Sequence, residues 1–248
     1  MQKKSICLTM FVRSNMIKCF LLALVGFILY EIVVFLSSRS KSREEAQHSE
    51  NDLMIASLIP KIPIKVSVYY EALCPDSRNF VLHQLVPAYE RSPRIVDFEL
   101  VPYGKAKTEE LVPPGNRYKF QCQHGSVECY ANKIHSCATH YITNKASLLK
   151  FVACMINDNM EPEQVAMDCA REHTVDVNPI LQCAQAGEGE ILLKNYGEMT
   201  YALSPKVSFI PTVLINGNQY NQARILKNLW SSVCDLFPQN VQPEECLR

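Results

Sequence analysis

The chain has 248 residues, with 25 Lys plus Arg against 25 Asp plus Glu and a formal net charge of zero. That balance offers no basic surface for a nucleic-acid partner. Once the N-terminal region is set aside, roughly 190 residues remain, enough for one domain with a sizeable core. The first feature in chain order is an apolar run, "MIKCFLLALVGFILYEIVVFL" (16–36), broken only by Lys18 and Glu31. It has the length of a signal anchor, about 20 residues. It also contains a stretch, Cys19 to Tyr30, that suits a cleaved signal peptide. Lys3, Lys4, Arg13 and Lys18 favour a cytoplasmic N-terminus, while Arg39, Lys41 and Arg43 on the far side weaken that orientation. The organisation expected is a cytoplasmic segment (1–15), a signal anchor or signal peptide (16–37), a polar linker (38–62) and a folded domain (63–248). If uncleaved, residues 16–37 bring a membrane contact, as in a single-pass type II protein; either way the domain enters the secretory pathway.

Within the domain, Val66, Val68 and Tyr70 alternate with Ser67, Tyr69 and Glu71, which predicts a strand. Residues 75–90 read as a helix. Pro75 suits its first turn, Asp76 complements the positive end of the dipole, and Pro87 should kink or shorten it. "RIVDFELVPYG" (94–104) predicts a second strand. From about 105 to 204 the chain is cysteine-rich and helix-like, with segments near 129–143, 145–157, 161–173 and 189–201. "FIPTVLINGNQY" (209–220) predicts two short strands around an Asn216–Gly217 turn. "NQARILKNLWSSVCDLF" predicts a closing amphipathic helix with Ile225, Leu229, Trp230, Val233 and Phe237 on its apolar side. A strand, helix, strand, helical insertion, hairpin and helix outline an α/β thioredoxin-like fold with a helical, disulfide-rich insertion.

Eleven cysteines include Cys7 and Cys19 in or before the apolar run and nine in the domain. With Cys74 free, the remaining eight suffice for four disulfides, a density that belongs to an oxidising compartment. Their pairing stays open.

Cys74 is the chemical focus. It stands between a strand and a helix start, where unpaired backbone N–H groups and the helix dipole favour a thiolate. The competing reading is an inert buried cysteine. Pro211, after Ile210 and before a strand, sits where thioredoxin-like folds place a cis proline opposite the active sulfur; an ordinary trans proline at an edge strand is the alternative. Tyr70, Pro75 and Ile210 flank these residues and are assigned to substrate contact, an extended chain pairing by strand addition. Tyr69, Tyr70, Phe209 and Trp230 are core or groove-lining aromatics.

Ser77 occupies the position where a Cys-x-x-Cys pair carries its second sulfur. A serine cannot attack a mixed disulfide. Its hydroxyl could still donate to the Cys74 thiolate, and an outside small thiol could resolve the adduct.

"CQHGSVECYANKIHSC" (122–137) fits C-Q-H-G-x2-E-C-x2-N-x4-C at Cys122, Gln123, His124, Gly125, Glu128, Cys129, Asn132 and Cys137. This resembles the signature of the gamma-interferon-inducible lysosomal thiol reductase (GILT) family. "YYEALCPDSRNF", "LVPYGKA" and "FIPTVLING" are similar to that family's active-site, second-strand and cis-proline segments, over roughly residues 63–246. The resemblance implies a thioredoxin-like enzyme of endosomes, lysosomes or the extracellular space that reduces disulfides of protein substrates at acidic pH. Cys74 is then the nucleophile, and Ser77 departs from the pattern of mammalian members. No cofactor is expected beyond a small thiol reductant, and no metal, although Cys122, His124, Cys129 and Cys137 could in principle bind zinc. Gln123 and His124 read as structural hydrogen-bonders. The chain has no Asn-x-Ser/Thr sequon, so glycan-based lysosomal sorting looks closed and an anchor or another signal would substitute. A capture module that holds polypeptides without turnover is the alternative function.

Overall fold

The computed structural model describes residues 26–41, 43, 47, 63–111 and 117–247. Its contacts divide the chain into two units, Met1–Leu58 and Ile59–Arg248. In the first, residues 26–41 are helical, with apolar side chains such as Phe27 and Leu36 exposed. Among the described residues no helix is long and apolar enough to cross a membrane. The expected span begins at residue 16, and residues 16–25 lie outside the described residues. Most of the expected linker lies outside them too, although residues 38–41 continue the helix.

The second unit is built on strand β1 (Ile64–Tyr70). Alternation alone predicts one face in and one face out. The observed strand is buried on both faces, except at Lys65, because it lies at the centre of a three-stranded sheet ordered β2-β1-β5. Strand β2 (Val96–Pro102) runs parallel to β1, in register from Ile64 opposite Val96 to Tyr70 opposite Pro102. Strand β5 (Thr212–Ile215) runs antiparallel on the other side. One face carries Val66, Val68 and Tyr70 in the main core with Phe80, Leu85, Phe98 and Phe151. The other face packs Tyr69 with Val101 and Leu214 against Tyr196, Met199 and Leu203.

The β1–β2 crossover is helical: α1 (Pro75–Phe80), a π turn (Val81–Leu85) and α2 (Val86–Arg91). Pro87 neither ends nor shortens it. A proline has no N–H to donate and crowds the carbonyl one turn back; widening that turn to π geometry relieves both.

The insertion opens with a two-stranded ribbon that the sequence did not reveal, β3 (Lys107–Glu110) against β4 (Tyr118–Gln121). These strands are four residues each and mostly exposed, and in β4 only Tyr118 and Phe120 are half-buried, too short an alternation to mark a strand. Helices α3 (Gly125–Tyr141), α4 (Lys145–Asn157), α5 (Pro162–His173), α6 (Asn178–Gln185) and α7 (Gly187–Tyr201) follow. The eight-residue α6 was also missed, being barely two turns long.

Two further expectations need correction. After β5, Asn216 and Gly217 both take positive φ, as a hairpin turn requires. No second strand follows, only the single bridge from Ile215 to Asn218. The Gln222 side chain takes its place: its Oε1 accepts from Val213 N–H at 2.9 Å and its Nε2 donates to Val213 C=O at 2.5 Å. One amide thus covers part of the sheet edge that a strand would have covered. The closing helix is two helices, α8 (Gln222–Lys227) and α9 (Leu229–Cys234). Asn228 divides them, its side chain accepting from Ser231 N–H at 3.0 Å as an N-cap. Ile225, Leu229, Val233 and Phe237 are still buried together.

Four disulfides form: Cys122–Cys129, Cys137–Cys183, Cys154–Cys169 and Cys234–Cys246. The first three lie wholly within the insertion, and Cys74 is the free cysteine among the described residues.

Candidate active site

Strand β1 delivers the chain into a tight turn, Glu71–Cys74, closed by a bond from Cys74 N–H to Glu71 C=O at 3.3 Å. Cys74 is the N-cap of α1, with extended φ and ψ, and Arg78 N–H donates to its carbonyl at 3.0 Å. Pro75 is the first helical residue and Asp76 lies in the first turn, both exposed. The sulfur is 3.8 Å from the Ile210 carbonyl oxygen, to which its thiol donates. The peptide from Ile210 to Pro211 is cis. Cys74, the helix start and the cis-proline segment therefore meet at one point. Cys74 is buried, with 8 % of its surface exposed, as the competing reading of an inert cysteine expects; its place at the helix start and beside the cis peptide is what distinguishes it from an ordinary core cysteine. Ile210 and Pro211 are buried, while Phe209 beside them is 41 % exposed and forms an apolar rim.

Two expected roles do not match these positions. Tyr70 is fully buried, and its hydroxyl lies 2.9 Å from His135 Nδ1. It belongs to the core, packed among Phe80, Phe98 and Phe151, and cannot touch a substrate. Ser77 is also fully buried, one helical turn beyond Cys74. Its hydroxyl accepts from Glu71 N–H at 3.3 Å, and among the described residues no hydrogen bond joins it to the Cys74 sulfur. The serine fastens the turn instead of touching the thiol.

The signature helix α3 lies beneath this turn. Asn132 Oδ1 accepts from Ala72 N–H at 2.9 Å. Asn159, from the loop after α4, donates weakly to Ala72 C=O at 3.5 Å and lies 3.2 Å from His135 Nε2. With that amide donating to Nε2, the imidazole proton is on Nδ1 and is donated to Tyr70. Complete burial pushes His135 down to about 3, so the ring is neutral at any physiological pH. Asn132 Nδ2 and Asn159 Oδ1 are buried without a partner in this structure.

Glu71 is 1 % exposed, and three segments converge on its carboxylate. Lys105 N–H donates to Oε1 at 2.8 Å. Gln123, with its amide nitrogen turned towards the carboxylate, donates to Oε1 at 3.0 Å. His124 Nδ1 lies 3.6 Å from Oε2 and also bonds the carboxylate of Glu128, a fully buried residue. Glu128 Oε1 accepts from His124 N–H at 3.1 Å as well, closing the first turn of α3. The approach is close enough to dictate Gly104: a Cβ there would lie 2.1 Å from Glu71 Cγ, and its φ is +60°. Burial raises the Glu71 carboxyl, and the nearby Glu128 raises it further; the Lys105 N–H, His124 and the Lys105 ammonium oppose them.

Among the described residues, two trios bring possible ligand atoms within 4.8 Å of one another, Cys154/Glu172/His173 and Glu71/His124/Glu128. Cys154 is disulfide-bonded and offers no thiolate. The second trio is a hydrogen-bonded cluster whose members hold each other and the backbone. The zinc alternative for the signature fails on the same ground, since Cys122, Cys129 and Cys137 are all bonded to sulfur.

Sequence reasoning placed Gln123 and His124 among structural hydrogen-bonders without finding what they bond. It gave no role to Glu71, Asn132, His135 or Asn159. The visible hint was that Glu128 and Asn132 are fixed positions of the signature with no chemistry assigned. Asn159 had no signal, because its loop meets the active turn only in three dimensions.

Residues 65–173 match the family described as gamma interferon inducible lysosomal thiol reductase (GILT). GILT-like protein 1 of Drosophila melanogaster is 33 % identical over 213 residues, covering 78 % of this chain and 82 % of its own. The gamma-interferon-inducible lysosomal thiol reductase of Mus musculus is 31 % identical, covering 76 % and 74 % respectively. Among solved structures, oxidised BdbD from Bacillus subtilis superposes with a TM-score of 0.50 at 11 % identity, covering 71 % of this chain and 88 % of that one. The last likeness concerns the fold alone, and it agrees with the thioredoxin-like topology described above. With about a third of the aligned residues identical to these relatives across most of their length, and with the signature wrapped around the Cys74 turn, the chain belongs to the GILT family.

Proposed function

We propose that the protein is a thiol–disulfide oxidoreductase that reduces protein disulfides through Cys74, with a small external thiol completing the cycle. The observation that carries this reading is the meeting of Cys74, the one free cysteine among the described residues, with a helix start and a cis Ile210–Pro211 peptide. The Cys74 thiolate attacks one sulfur of a substrate disulfide; an S–S bond forms to Cys74 and the other substrate sulfur leaves as a thiolate, which takes up a proton. A small thiol then attacks the Cys74 sulfur and frees the second substrate thiol. A second small thiol attacks that adduct, restores Cys74 and leaves as the oxidised small-thiol disulfide. Two small thiols are oxidised for each substrate disulfide reduced. The exposed Phe209 and Pro75 offer apolar contact to an extended substrate chain, and Ile210 lines the floor.

Substrate capture without turnover is the second reading, favoured by the engagement of Ser77 with Glu71 N–H and the absence of a resolving sulfur there. The assay is reduction of a protein disulfide with and without added cysteine or glutathione. Turnover that requires the small thiol supports the enzyme. A stoichiometric adduct that added thiol fails to release supports capture. Ser77→Cys should permit turnover with less external thiol, since the replaced side chain is small and already directed into the turn.

The compartment follows from the same chemistry: four disulfides fit an oxidising lumen, and an endosomal, lysosomal or extracellular site fits the family. Residues 16–37 would deliver the domain there as a signal peptide or anchor, with 63–248 as the working domain. N-terminal sequencing of the mature protein decides between them.

A further inference from the structure

We propose that Cys154, Cys169, Glu172 and His173 form a second site, a zinc-type metal centre that opens when small thiols reduce the Cys154–Cys169 disulfide. The cluster joins α4 to α5 and shares no residue with the Cys74 turn. Cys169, Glu172 and His173 stand at i, i+3 and i+4 of α5, so one face of that helix carries all three. The disulfide holds this face against Cys154 of α4. Glu172 Oε2 lies 3.9 Å from the Cys154 sulfur, and Glu172 Oε1 lies 3.7 Å from His173 Nε2. One ligand atom from each of Cys154, Glu172 and His173 falls within 4.8 Å of the others. The His173 side chain is only 21 % exposed, yet among the described residues its ring makes no hydrogen bond. Cys154, Glu172 and His173 also line a cavity of about 650 Å³, walled on its apolar side by Leu82, Val86 and Leu149. Cys154 is half-buried at that wall and Cys169 is buried behind it, so an incoming thiol meets the Cys154 sulfur first.

The chemistry balances as follows. A small thiolate attacks the Cys154 sulfur, the Cys154–Cys169 bond breaks, and Cys169 leaves with the electron pair and takes up a proton. A second small thiol attacks the small-thiol sulfur of the adduct, frees Cys154 and departs in a small-thiol disulfide. Two small thiols are oxidised and two protein thiols are formed. A divalent ion then binds both as thiolates and releases two protons. His173 adds a neutral nitrogen and Glu172 a carboxylate oxygen. Two sulfurs, one nitrogen and one oxygen make a four-coordinate donor set that suits Zn²⁺. Tetrahedral ligands stand about 3.6 Å apart, so rotation of Glu172 and His173, at the very end of α5, closes the cluster with both helices in place. While the sulfurs are bonded to each other they offer no thiolate, and the metal is kept out. The ion thus replaces one α4–α5 cross-link with another when small thiols are abundant.

The test uses the full chain, reduced with a small thiol, freed of it without air, and titrated with Co²⁺ at neutral pH, where protons compete least with the metal. Reduced wild type should gain a thiolate-to-cobalt charge-transfer band and the visible spectrum of four-coordinate cobalt, both removed by Zn²⁺ and both absent before reduction. Cys154→Ser/Cys169→Ser should lose them. His173→Ala and Glu172→Gln should each weaken Co²⁺ binding at least ~tenfold. Bands present before reduction, bands that survive in the double serine variant, or an affinity unmoved in either single variant overturn the proposal. Where a variant does not fold, wild type decides by mass mapping of alkylated cysteines. One equivalent of Zn²⁺ should slow alkylation of Cys154 and Cys169 at least ~tenfold and leave Cys74 unchanged. Protection spread evenly over all reduced cysteines overturns the proposal, and so does a Cys154–Cys169 bond still closed after the small thiol has opened the other three. None of these readouts depends on turnover at Cys74, so failure of the oxidoreductase reading leaves the test intact.

Discussion

The three-stranded sheet with its crossover helix and the helical insertion divide the work unequally. The sheet region supplies the free sulfur of Cys74, the helix start and the cis proline. The insertion supplies most of the side-chain bonds that hold the sulfur's turn: Asn132 and Asn159 to Ala72, His135 to Tyr70, and Gln123, His124 and Glu128 around Glu71. The insertion also carries three of the four disulfides, and none of these ties it to the sheet. Its bracing of the active turn is therefore non-covalent, through buried apolar contacts and a few directional hydrogen bonds. The insertion is thus covalently rigid within itself and meets the sheet region through contacts that can adjust.

The comparison breaks most completely if the chemistry lies outside the sheet region. Cys74→Ser should abolish disulfide reduction and leave no mixed disulfide, with the melting transition little changed. Residual turnover would transfer the chemistry to one of the insertion disulfides. The next effect concerns the insertion's own rigidity. Cys137–Cys183 closes the longest loop, with a separation of 46 residues, and Cys122–Cys129 the shortest, with 7. Loop-closure entropy predicts losses of about 4 kcal/mol for the first and about 2 kcal/mol for the second when each pair is replaced by Ser. Denaturant titration reads both. If the order reverses, the short bridge, which joins the residue after β4 to the second turn of α3, is holding the Glu71 cluster as well as closing a loop.

The sheet region was the more legible of the two. Period-two alternation around Val66 and Val68, and the Cys74–Pro75 helix start, marked β1 and α1 directly. The missing second strand after β5 was misread because Asn216–Gly217 is a genuine turn signal; the sequence does not show that Gln222 will turn back and take the edge of Val213. In the insertion, helices above three turns were found by their period, while the β3–β4 ribbon and α6 were too short to register. The site was half legible for the same reason. Cys74, Ser77 and Pro211 lie on local motifs. Tyr70 reads equally well as groove or core until its neighbour His135 is known, and Asn159 acquires meaning only from the distance to Ala72.

Acid sharpens the comparison further, because the seam holds buried groups of opposite sign. Burial raises the Glu71 carboxyl, so its contribution to folding is present at low pH and is lost as pH rises. His135 does the reverse. Its folded value of about 3 lies below its ordinary 6.5, so the unfolded chain takes up the proton first. Its contribution is intact above pH 6.5 and shrinks as pH falls towards 3. At a pH of about 5 the loss is about 2 kcal/mol. His135→Gln removes that slope, so the stability gap between wild type and variant should narrow by about that amount from neutral pH to pH 5. A constant gap would mean that His135 is reached by water and protonated in place.

The smallest effect is the most specific. Asn132→Ala takes the partner from Ala72 N–H, a buried donor two residues before Cys74. Leaving a buried amide unpaired costs about 1–3 kcal/mol, but the same change removes the partnerless Asn132 Nδ2. The net loss should be near the lower end, about 1 kcal/mol. Ser67→Ala provides the counterpart on β1, where the hydroxyl donates to Glu99 at 2.8 Å; a hydrogen bond of that kind contributes a similar amount. If the insertion tunes the thiol, the two variants will match in stability and differ in catalysis. Asn132→Ala should lower kcat for disulfide reduction with KM unchanged, because the apolar contacts at Phe209 and Pro75 are untouched. Ser67→Ala should leave both constants alone. Equal catalytic losses would mean that any small weakening of this domain reaches Cys74, and the special role of the seam would be lost.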